Sequence, residues 1–210
     1  METIQLKKLI YNHYDLDVNN LKKLNGYDTE NFLVHCKDKS NYILKKYPFS
    51  NENLSLVKAE NNCLEYLRKR NKSSYPSPIY TTNKYSFFIV KIKSKKYIVR
   101  LLSYLDGVFL GELDLKRQDL KKVGRFIGNL SKELKNYSND SIASRKWPWD
   151  IQNLSLNKKY LKYIPDPINR KIVLFFIQQF EEFVFPQLDK LRTSIIHNDT
   201  NEWNILLKKK

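Results

Sequence analysis

The 210-residue sequence is poor in cysteine and glycine, with two and five copies, and it contains a single methionine. The two cysteines, Cys36 and Cys63, suggest neither a disulfide framework nor a metal site, so we interpret them as reduced thiols in a cytoplasmic protein. The scarcity of glycine also means that a glycine-rich phosphate-binding loop is not evident from the sequence alone. These absences argue against a small disulfide-stabilised secreted domain.

Long hydrophobic stretches are missing as well. The longest apolar run, residues 172–177, is much shorter than the roughly 20 residues that a membrane-spanning helix needs. The first residues, METIQLKKLIYNHY, lack the apolar segment of a secretory signal peptide. We therefore expect a cytoplasmic protein without a membrane partner.

Acidic residues are outnumbered, since 38 lysines and arginines face 22 aspartates and glutamates, which gives a formal net charge of +16. Such a charge favours anionic partners, among them nucleic acids, acidic membranes and nucleotides. The lysines are scattered along the chain rather than gathered in one arm, so they form no concentrated track for a phosphate backbone. We interpret most of the excess as compositional, and we expect a nucleotide rather than a nucleic acid as the anionic ligand.

The hydrophobic pattern predicts strands early in the chain and helices later. Apolar spacing predicts helices and strands as follows: helices over 4–14, 54–70, 120–134 and 168–191, three strands within 21–46, and a hairpin that turns near 93–96. Strands with one interposed helix, followed by helices, favour an α+β fold in two lobes. We place the boundary near 102–106, with an N-terminal lobe over 1–102 and a C-terminal lobe over 103–210.

The last part of the chain contains the polar loop SIIHNDTNEWNILL. Within it His197, Asp199 and Asn204 have the spacing H-x-D-x-x-x-x-N of the catalytic loop in protein-kinase-like phosphotransferases. In that chemistry a carboxylate accepts the hydrogen bond of the attacking hydroxyl, and an amide oxygen five residues later helps to hold Mg²⁺. The flanking apolar runs, 194–196 and 205–207, are expected to anchor the loop as short strands.

Two other interpretations of these residues remain open at this point. His, Asp and Asn are ordinary turn residues, and so short a pattern arises by chance fairly often. A metal site built on His197 and Asp199 is the other alternative, although no second cluster of histidine or cysteine lies nearby in the sequence.

The stretch as a whole resembles the loop of the aminoglycoside phosphotransferase and choline kinase-like superfamily, and within that superfamily it is most similar to the hydroxylysine kinase group. Further similar segments follow in the same order over residues 20–207: LNGYDTENFLV, NYILKKY, AENNCLEYL, YPSPI, YIVRLLSYLDG and WPWDIQN. They resemble the nucleotide-binding strands, the strand with the phosphate-binding lysine, the helix and loop after it, the inter-lobe hinge, and a tryptophan–aspartate segment. The resemblance implies a protein kinase-like two-lobe fold with its catalytic loop at 197–204.

The resemblance assigns roles to the three residues of the polar loop. Asp199 would be the catalytic base or the carboxylate that orients the substrate, and Asn204 would supply an oxygen to Mg²⁺. His197 is expected to brace the loop by hydrogen bonds rather than to take part in the chemistry.

The nucleotide site is implied in the same way. Lys45 would bind the α- and β-phosphates, and Glu60 on the next helix would be its ion-pair partner. Lys46 should face the opposite side of its strand, because successive side chains of a strand alternate. The alternative is that both lysines are solvated and that Glu60 is an ordinary surface residue.

Three further groups complete the implied site. The resemblance assigns the phosphate-covering turn and the purine-binding hinge to these residues: Gly26, Tyr27, Asp28 and Thr29 in the turn, and Leu102 and Tyr104 in the hinge. Trp149 and Asp150 could shape the acceptor pocket, since an amino-alcohol needs a carboxylate for its ammonium. Alternatively the tryptophan anchors the core and Asp150 caps a helix.

A complete site of this kind has a second metal-binding aspartate after the catalytic loop, yet only six residues follow Asn204. We therefore expect an incomplete C-terminal lobe, which leaves two interpretations open: a fragment or truncated form of the enzyme, whose own activity is an open question, or a degenerate binder.

The resulting hypothesis is a kinase that transfers the γ-phosphate of ATP or GTP, with Mg²⁺, to the hydroxyl of a small amino-alcohol. Hydroxylysine is the acceptor that the resemblance indicates first, and choline or ethanolamine, homoserine and aminoglycosides are alternatives. In a different class, the chain would be a non-catalytic basic module that binds nucleotide or nucleic acid.

Overall fold

The computed structural model describes residues 2–26, 29–70, 74–146 and 149–208. Its helices and strands are, in chain order, α1 Glu2–Tyr14, β1 Val18–Leu24, β2 Glu30–Cys36, β3 Asn41–Pro48, α2 Asn51–Arg68, β4 Pro78–Ile79, β5 Phe88–Ile92, β6 Lys95–Ser103, β7 Val108–Phe109, α3 Arg117–Leu134, α4 Asp140–Ala143, α5 Pro167–Gln179 and β8 Leu206–Leu207. Shorter helical turns are of the 3₁₀ type at Leu110–Glu112, Ile151–Tyr163 and Phe185–Lys190 and of the π type at Phe180–Val184.

The chain divides into two compact units. The first comprises Met1–Asn129 together with Thr200–Lys210, and the second comprises Leu130–Asp199. The first unit therefore contains the sheet and the last strand, whereas the second contains the late helices. The boundary that we predict near 102–106 concerns the lobes of the fold and stays a prediction. It differs from the division into these two units, since residues 103–129 belong to the same unit as the sheet.

An antiparallel sheet with the strand order β1-β2-β3-β6-β4 forms the centre of the first unit, and β5 also pairs with β6. The hairpin between β5 and β6 turns at Lys93 and Ser94, where Lys93 adopts a φ of 55°. In β6, five consecutive residues, 98–102, are buried. Such a run is typical of a central strand that is covered on both faces, because both sets of alternating side chains then pack against a neighbour.

One face of the sheet is covered by α1. Leu6 and Ile10, which are 1% and 0% exposed, pack with Val34, Leu44 and other apolar residues of the strands into one cluster. Each such side chain contributes about 1.5–3 kcal/mol when it is withdrawn from water. The α1 helix therefore covers the face of the sheet that carries Val34 and Leu44.

The opposite face of the sheet packs against α2. Val57 of this helix joins Tyr47 and Ile98 in a second buried cluster. Ser50 caps the helix, since its hydroxyl accepts a hydrogen bond from the backbone N–H of Asn53 at 3.0 Å. The α2 helix is thereby held across the sheet face that carries Lys45.

Most of the elements expected from the sequence are present. The helix over 4–14 corresponds to α1, the three strands within 21–46 to β1, β2 and β3, and the helices over 54–70 and 120–134 to α2 and α3. The α+β fold class expected from their order is confirmed.

Two expectations are wrong. The helix expected over 168–191 is regular only to Gln179 and continues as π and 3₁₀ turns. Pro186 lies in the last of these turns, and a proline cannot donate a hydrogen bond to a carbonyl of the preceding turn. Residues 194–196 have no strand pairing, whereas the expected strand over 205–207 is present as β8.

The second unit exposes a large apolar surface on its helices. Phe175, Phe176, Phe183 and Phe185 are each more than half exposed. In the part of the chain that the structure describes, no helix is both long enough and apolar enough to cross a bilayer.

Candidate active site

The strand β3 carries two adjacent lysines whose side chains lie on opposite faces of the sheet, as the sequence predicts. Lys46 is 2% exposed, lies on the α1 side, forms an ion pair with Glu30 at 2.7 Å and stacks over the ring of Tyr97 at 4.5 Å. Lys45 lies on the α2 side of the strand. Of the two lysines, Lys45 is therefore the one whose side chain can reach a ligand on the α2 face.

Lys45 belongs to a row of three polar residues that crosses three strands. It is directly opposite Asn31 of β2 and directly opposite Arg100 of β6. Burial lowers the pKa of the Lys45 ammonium below its usual value, and repulsion from Arg100 lowers it further, while attraction to Glu60 partly offsets both. A partly dehydrated ammonium of this kind gains much from an incoming phosphate.

Glu60 forms a different ion pair from the one expected. The sequence predicts a pair with Lys45, but the Glu60 carboxylate is held by Nη2 of Arg100 instead. Glu60 still faces Lys45 closely enough to influence its pKa. Glu60 therefore lies on α2 as expected, but its ion-pair partner is Arg100 and not Lys45.

Arg100 is the residue of this network that the sequence pattern did not single out. It is 2% exposed, and it also donates to Asn61 Oδ1 at 2.7 Å and to the Tyr47 hydroxyl at 2.5 Å. The sequence feature that could have identified this residue is a single arginine in the middle of the apolar run of β6. A buried charge in such a run requires partners, and those partners lie on α2 and β3.

The turn between β1 and β2 is closed by side chains next to Lys45. Asn31 donates to the backbone carbonyl of Asn25 at 3.2 Å, and Thr29 donates its hydroxyl to Asn31 Oδ1 at 3.0 Å. A Cβ atom at Gly26 would come closer than 3.0 Å to Thr29 O and Asn31 Nδ2. Glycine is therefore required at position 26 by the close approach of the turn to itself.

Two residues expected to cover the phosphates, Tyr27 and Asp28, lie outside the described residues. The described ends of the turn bring Gly26 and Thr29 together with Asn31, the neighbour of Lys45 across the sheet. Asn31 thus lies between the predicted phosphate-covering turn and the predicted phosphate-binding lysine, and it contacts the turn while facing Lys45 across the sheet.

Asn204 lies in a segment that is anchored to the chain after the hinge. Its backbone N–H donates to Asn201 O at 3.1 Å, and Asn201 Oδ1 accepts from the Trp203 N–H at 2.9 Å. The strands β7 and β8 pair antiparallel, and Leu110 N donates to Ile205 O at 2.9 Å. This pairing fixes the end of the catalytic loop within the first unit.

The start of the loop belongs to the second unit. Asn198 has a φ of 63°, a left-handed conformation that asparagine tolerates better than most residues other than glycine. The backbone N–H of Asp199 donates to His197 Nδ1 at 3.4 Å. This long hydrogen bond agrees with the bracing role expected for His197, and it requires the proton of the neutral ring to be on Nε2.

The hinge and the acceptor residues differ in exposure. Leu102 is 7% exposed and lies between β3 and β4, whereas Tyr104, just after β6, is 37% exposed. Asp150 caps the 3₁₀ helix Ile151–Tyr163 by accepting from the Gln152 N–H at 3.0 Å, and Trp149 is 69% exposed. Asp150 thus has the capping role that was its alternative assignment, and Trp149 is not a core anchor.

Comparisons with known proteins identify relatives of this chain. The chain is 30% identical to the hydroxylysine kinase of Xenopus laevis, with 98% of this chain and 58% of that protein covered. It is 28% identical to the hydroxylysine kinase of Mus musculus, with 97% of this chain and 58% of that protein covered. The chain thus spans somewhat more than half the length of the curated relatives that it matches.

Solved structures with a similar fold are also kinases by name. An amicoumacin kinase in complex with AMP-PNP, Ca²⁺ and Ami has a TM-score of 0.67 at 16% identity, with 92% of this chain and 55% of that chain covered. A spectinomycin phosphotransferase in complex with ADP and spectinomycin has a TM-score of 0.61 at 13% identity, with 100% and 66% covered. At such identities the likeness shows the fold alone.

A sequence model of the phosphotransferase enzyme family, the family of aminoglycoside phosphotransferases, matches residues 21–210. That match includes the lysine strand, the Arg100 network and the catalytic loop. The chain therefore belongs to the phosphotransferase enzyme family.

Proposed function

We propose that this chain provides the nucleotide-binding sheet and the catalytic loop of a small-molecule kinase. The reaction is transfer of the γ-phosphate of ATP or GTP to the hydroxyl of an amino-alcohol, with hydroxylysine as the first acceptor to test. The observation that carries the proposal is the position of Lys45, on the α2 face of the sheet and next to the turn that Gly26 and Asn31 close.

Lys45 and the turn after β1 are the groups that we assign to the phosphates of the nucleotide. Lys45 offers an ammonium that burial has partly stripped of water, and a phosphate returns the interaction that water provided. Gly26 and Thr29, the described ends of the turn after β1, lie next to Asn31, the residue opposite Lys45, and backbone N–H groups of turns can cradle anions. We assign the α- and β-phosphates to Lys45 and the covering role to Gly26 and Thr29 with the residues between them.

Mg²⁺ fits the donors that the loop contains. Asn204 offers an amide oxygen, and hard oxygen donors of this kind, completed by phosphates and water, are what Mg²⁺ prefers. When bound, the ion neutralises charge on the transferring phosphoryl group. We assign Asn204 as a metal ligand.

Asp199 is the proposed base. The acceptor hydroxyl oxygen forms a bond to the γ-phosphorus while the bond from that phosphorus to the β–γ bridging oxygen breaks, and the hydroxyl proton passes to the Asp199 carboxylate. His197 holds the loop through the Asp199 backbone. Leu102 and Tyr104 flank the backbone groups that we assign to the purine.

The acceptor is supported by the relatives rather than by a pocket. Two curated relatives are hydroxylysine kinases, at 28–30% identity. Within the second unit, Trp149 and Asp150 are weak candidates for the ammonium of an amino-alcohol, since Asp150 already caps a helix. We therefore propose hydroxylysine on similarity, and choline, ethanolamine, homoserine and aminoglycosides serve as competing acceptors in the assay.

Nucleotide binding by the 210-residue chain tests the proposal. Isothermal titration with ADP, with and without Mg²⁺, should show Mg²⁺-dependent binding that weakens at least about tenfold in Lys45→Ala and Asn204→Ala, because each removes a charge-assisted or metal contact. Lys91→Ala, an exposed lysine of β5, is the matched control and should bind as the wild type does. Absence of binding, or equal binding by Lys45→Ala, would contradict the proposal.

A second candidate function follows from the net charge of +16. A non-catalytic basic module would bind RNA with a steep dependence on salt. Its binding would not respond to Lys45→Ala or Asn204→Ala. The same variants therefore separate the two functions when fluorescence anisotropy with a labelled RNA is measured beside the ADP titration.

A further inference from the structure

Two segments of this basic chain contain no basic side chain apart from one histidine. Residues 101–115 and 193–207 have neither lysine nor arginine, in a sequence that contains 38 of them. The two segments meet, because β7 pairs with β8 and the Leu110 N–H donates to Ile205 O at 2.9 Å. A cationic ligand is repelled least where fixed cations are absent. The pairing of β7 with β8 therefore creates a place where the protein can accept a cation.

An exposed aromatic pair, formed by Phe109 and Trp203, lies at this place. Phe109 belongs to β7, Trp203 directly precedes Asn204, and the centroids of the two rings are 6.1 Å apart with an angle of 58° between their planes. The side chains are 39% and 55% exposed. A single ammonium can lie within about 6 Å of both centroids, which is the range of a cation–π contact. The Phe109–Trp203 pair therefore has the chemistry of an ammonium site.

The indole of Trp203 is exposed and yet held in place. The Trp203 N–H donates to Asn201 Oδ1 at 2.9 Å, and the Gly111 N–H donates to Glu202 O at 3.1 Å. A Cβ atom at Gly111 would be 3.2 Å from Trp203 Cζ2 and 2.9 Å from Glu202 Cγ, so the backbone at this glycine lies directly against both side chains. A ring that is already fixed loses little conformational freedom when a ligand binds.

A second exposed aromatic pair, formed by Tyr160 and Tyr163, differs in what covers its rings. The centroids of these two rings are 6.4 Å apart. Their faces already carry cations from the chain itself, since Lys159 Nζ lies 5.0 Å from the Tyr160 centroid and Lys162 Nζ lies 5.1 Å from the Tyr163 centroid. Among the residues that the structure describes, no lysine or arginine lies over either ring of the Phe109–Trp203 pair. That pair is therefore open to a cation from outside.

We propose that the Phe109–Trp203 pair binds the ammonium group of the acceptor and that the Glu202 carboxylate, beside the indole, supplies the opposite charge. The inference deepens the proposed function and rests on it for the reaction, because it names the groups that hold the amino end of the amino-alcohol. The indole is one residue away in the chain from Asn204, the proposed magnesium ligand. Asp150, whose carboxylate already caps a helix, is not needed for the ammonium.

Titration of the 210-residue chain with hydroxylysine, followed by ligand-observed NMR, tests this assignment. Trp203→Leu should weaken hydroxylysine binding about five- to thirtyfold, since a desolvated cation–π contact is lost, whereas Trp203→Phe keeps an aromatic ring and should retain most of the affinity. Tyr163→Leu removes an exposed ring of the second aromatic pair and is the matched control, which should bind as the wild type does. Equal affinity of the wild type and Trp203→Leu for hydroxylysine would overturn the proposal.

The charge of the ligand is tested separately. Choline and its neutral carbon isostere have nearly the same shape, so only choline should bind measurably if the rings recognise a cation. Glu202→Gln should weaken choline binding about two- to fivefold, as expected for an exposed charge, and Glu52→Gln on α2 is the control for the loss of one carboxylate. Equal binding of choline and the isostere would show an apolar contact alone and would refute the ammonium site.

The ADP titration keeps this inference apart from the proposed function. If the wild type binds no ADP, the proposed function fails, while titration with hydroxylysine alone still decides whether the aromatic pair recognises an ammonium. A tenfold loss of ADP affinity in Trp203→Leu with unchanged hydroxylysine affinity would assign the ring to the nucleotide and overturn the inference. Should Trp203→Leu not fold, Phe109→Leu on β7 decides in its place: it should weaken hydroxylysine binding and spare ADP, and unchanged hydroxylysine binding would count against the pair.

Discussion

The ion pair between Lys46 and Glu30 offers a sharp test of how the sheet tolerates a buried charge. The Lys46 side chain is 2% exposed and its Nζ is 2.7 Å from Glu30 Oε1, whereas Glu30 is 36% exposed. Removing one partner of a buried ion pair costs about 3–5 kcal/mol when the remaining charge has no other partner. Lys46 would keep its contact with the Tyr97 ring, so Glu30→Gln should cost less than that. Because water reaches Glu30 and can follow toward Lys46, we expect the lower part of this range or somewhat less in Glu30→Gln, about 2 kcal/mol.

Replacing Lys46 should change the free energy of unfolding far less than replacing Glu30 does. Methionine keeps the apolar stem that packs on Tyr97 and removes the charge, and replacing buried charges by apolar groups is often neutral or stabilising. We expect Lys46→Met to change the free energy of unfolding by less than about 1 kcal/mol. The double variant Glu30→Gln/Lys46→Met should then be as stable as Lys46→Met, because both members of this ion pair are gone.

Thermal unfolding followed by circular dichroism measures these differences. For a chain of this size about 1 kcal/mol corresponds to roughly 2–4 °C, so Glu30→Gln should lower the Tm by about 4–8 °C. Glu30 also approaches Lys23 at 3.8 Å, an exposed contact that contributes at most about 1 kcal/mol, and Lys23→Gln is the control for it. The reasoning fails if Lys46→Met destabilises the protein as much as Glu30→Gln does.

Two further predictions concern pH and the catalytic loop. Burial and Arg100 lower the pKa of Lys45, so the ammonium that we propose to bind phosphate is present at low pH and is lost as pH rises through that lowered pKa. ADP affinity, measured by titration from pH 7 to pH 10, should therefore fall with pH in the wild type and stay flat in Lys45→Ala. Because Asn198 has a φ of 63°, Asn198→Ala should lower the free energy of unfolding in urea by about 1–2 kcal/mol, whereas Asn198→Gly should be tolerated. Equal stability of the two variants would show that this backbone conformation carries no strain.

The network around Lys45 differs in one contact from the network that the sequence predicts. The lysine strand, the following helix and the glutamate occupy the positions that the resemblance implies. The carboxylate nevertheless bonds to Arg100, which comes 40 residues later in the sequence. A variant of Glu60 alone therefore cannot be interpreted without a variant of Arg100 beside it.

Local patterns were sufficient for most of the secondary structure. The apolar spacing of α1 and α2 and the turns between β1, β2 and β3 are properties of short segments, and these elements are present as expected. The regular helix expected over 168–191 ends at Gln179 and continues as irregular turns. Pro186 lies in the last of these turns, and this local signal was outweighed in the prediction by the apolar pattern around it. The strand expected over 194–196 failed because pairing depends on a distant partner, which a single segment does not specify.

The sequence by itself determined the family, the spacing of His197, Asp199 and Asn204, and the opposite orientation of Lys45 and Lys46, because each depends on residues that are close in the chain. Only the tertiary structure decided which cation holds Glu60, since α2 and β6 meet through the sheet and not through the sequence. It also decided that Asp150 is committed to a helix cap and that Gly26 has no room for a side chain. Contacts between distant segments depend on the packing of whole elements, and no periodicity within one segment encodes them.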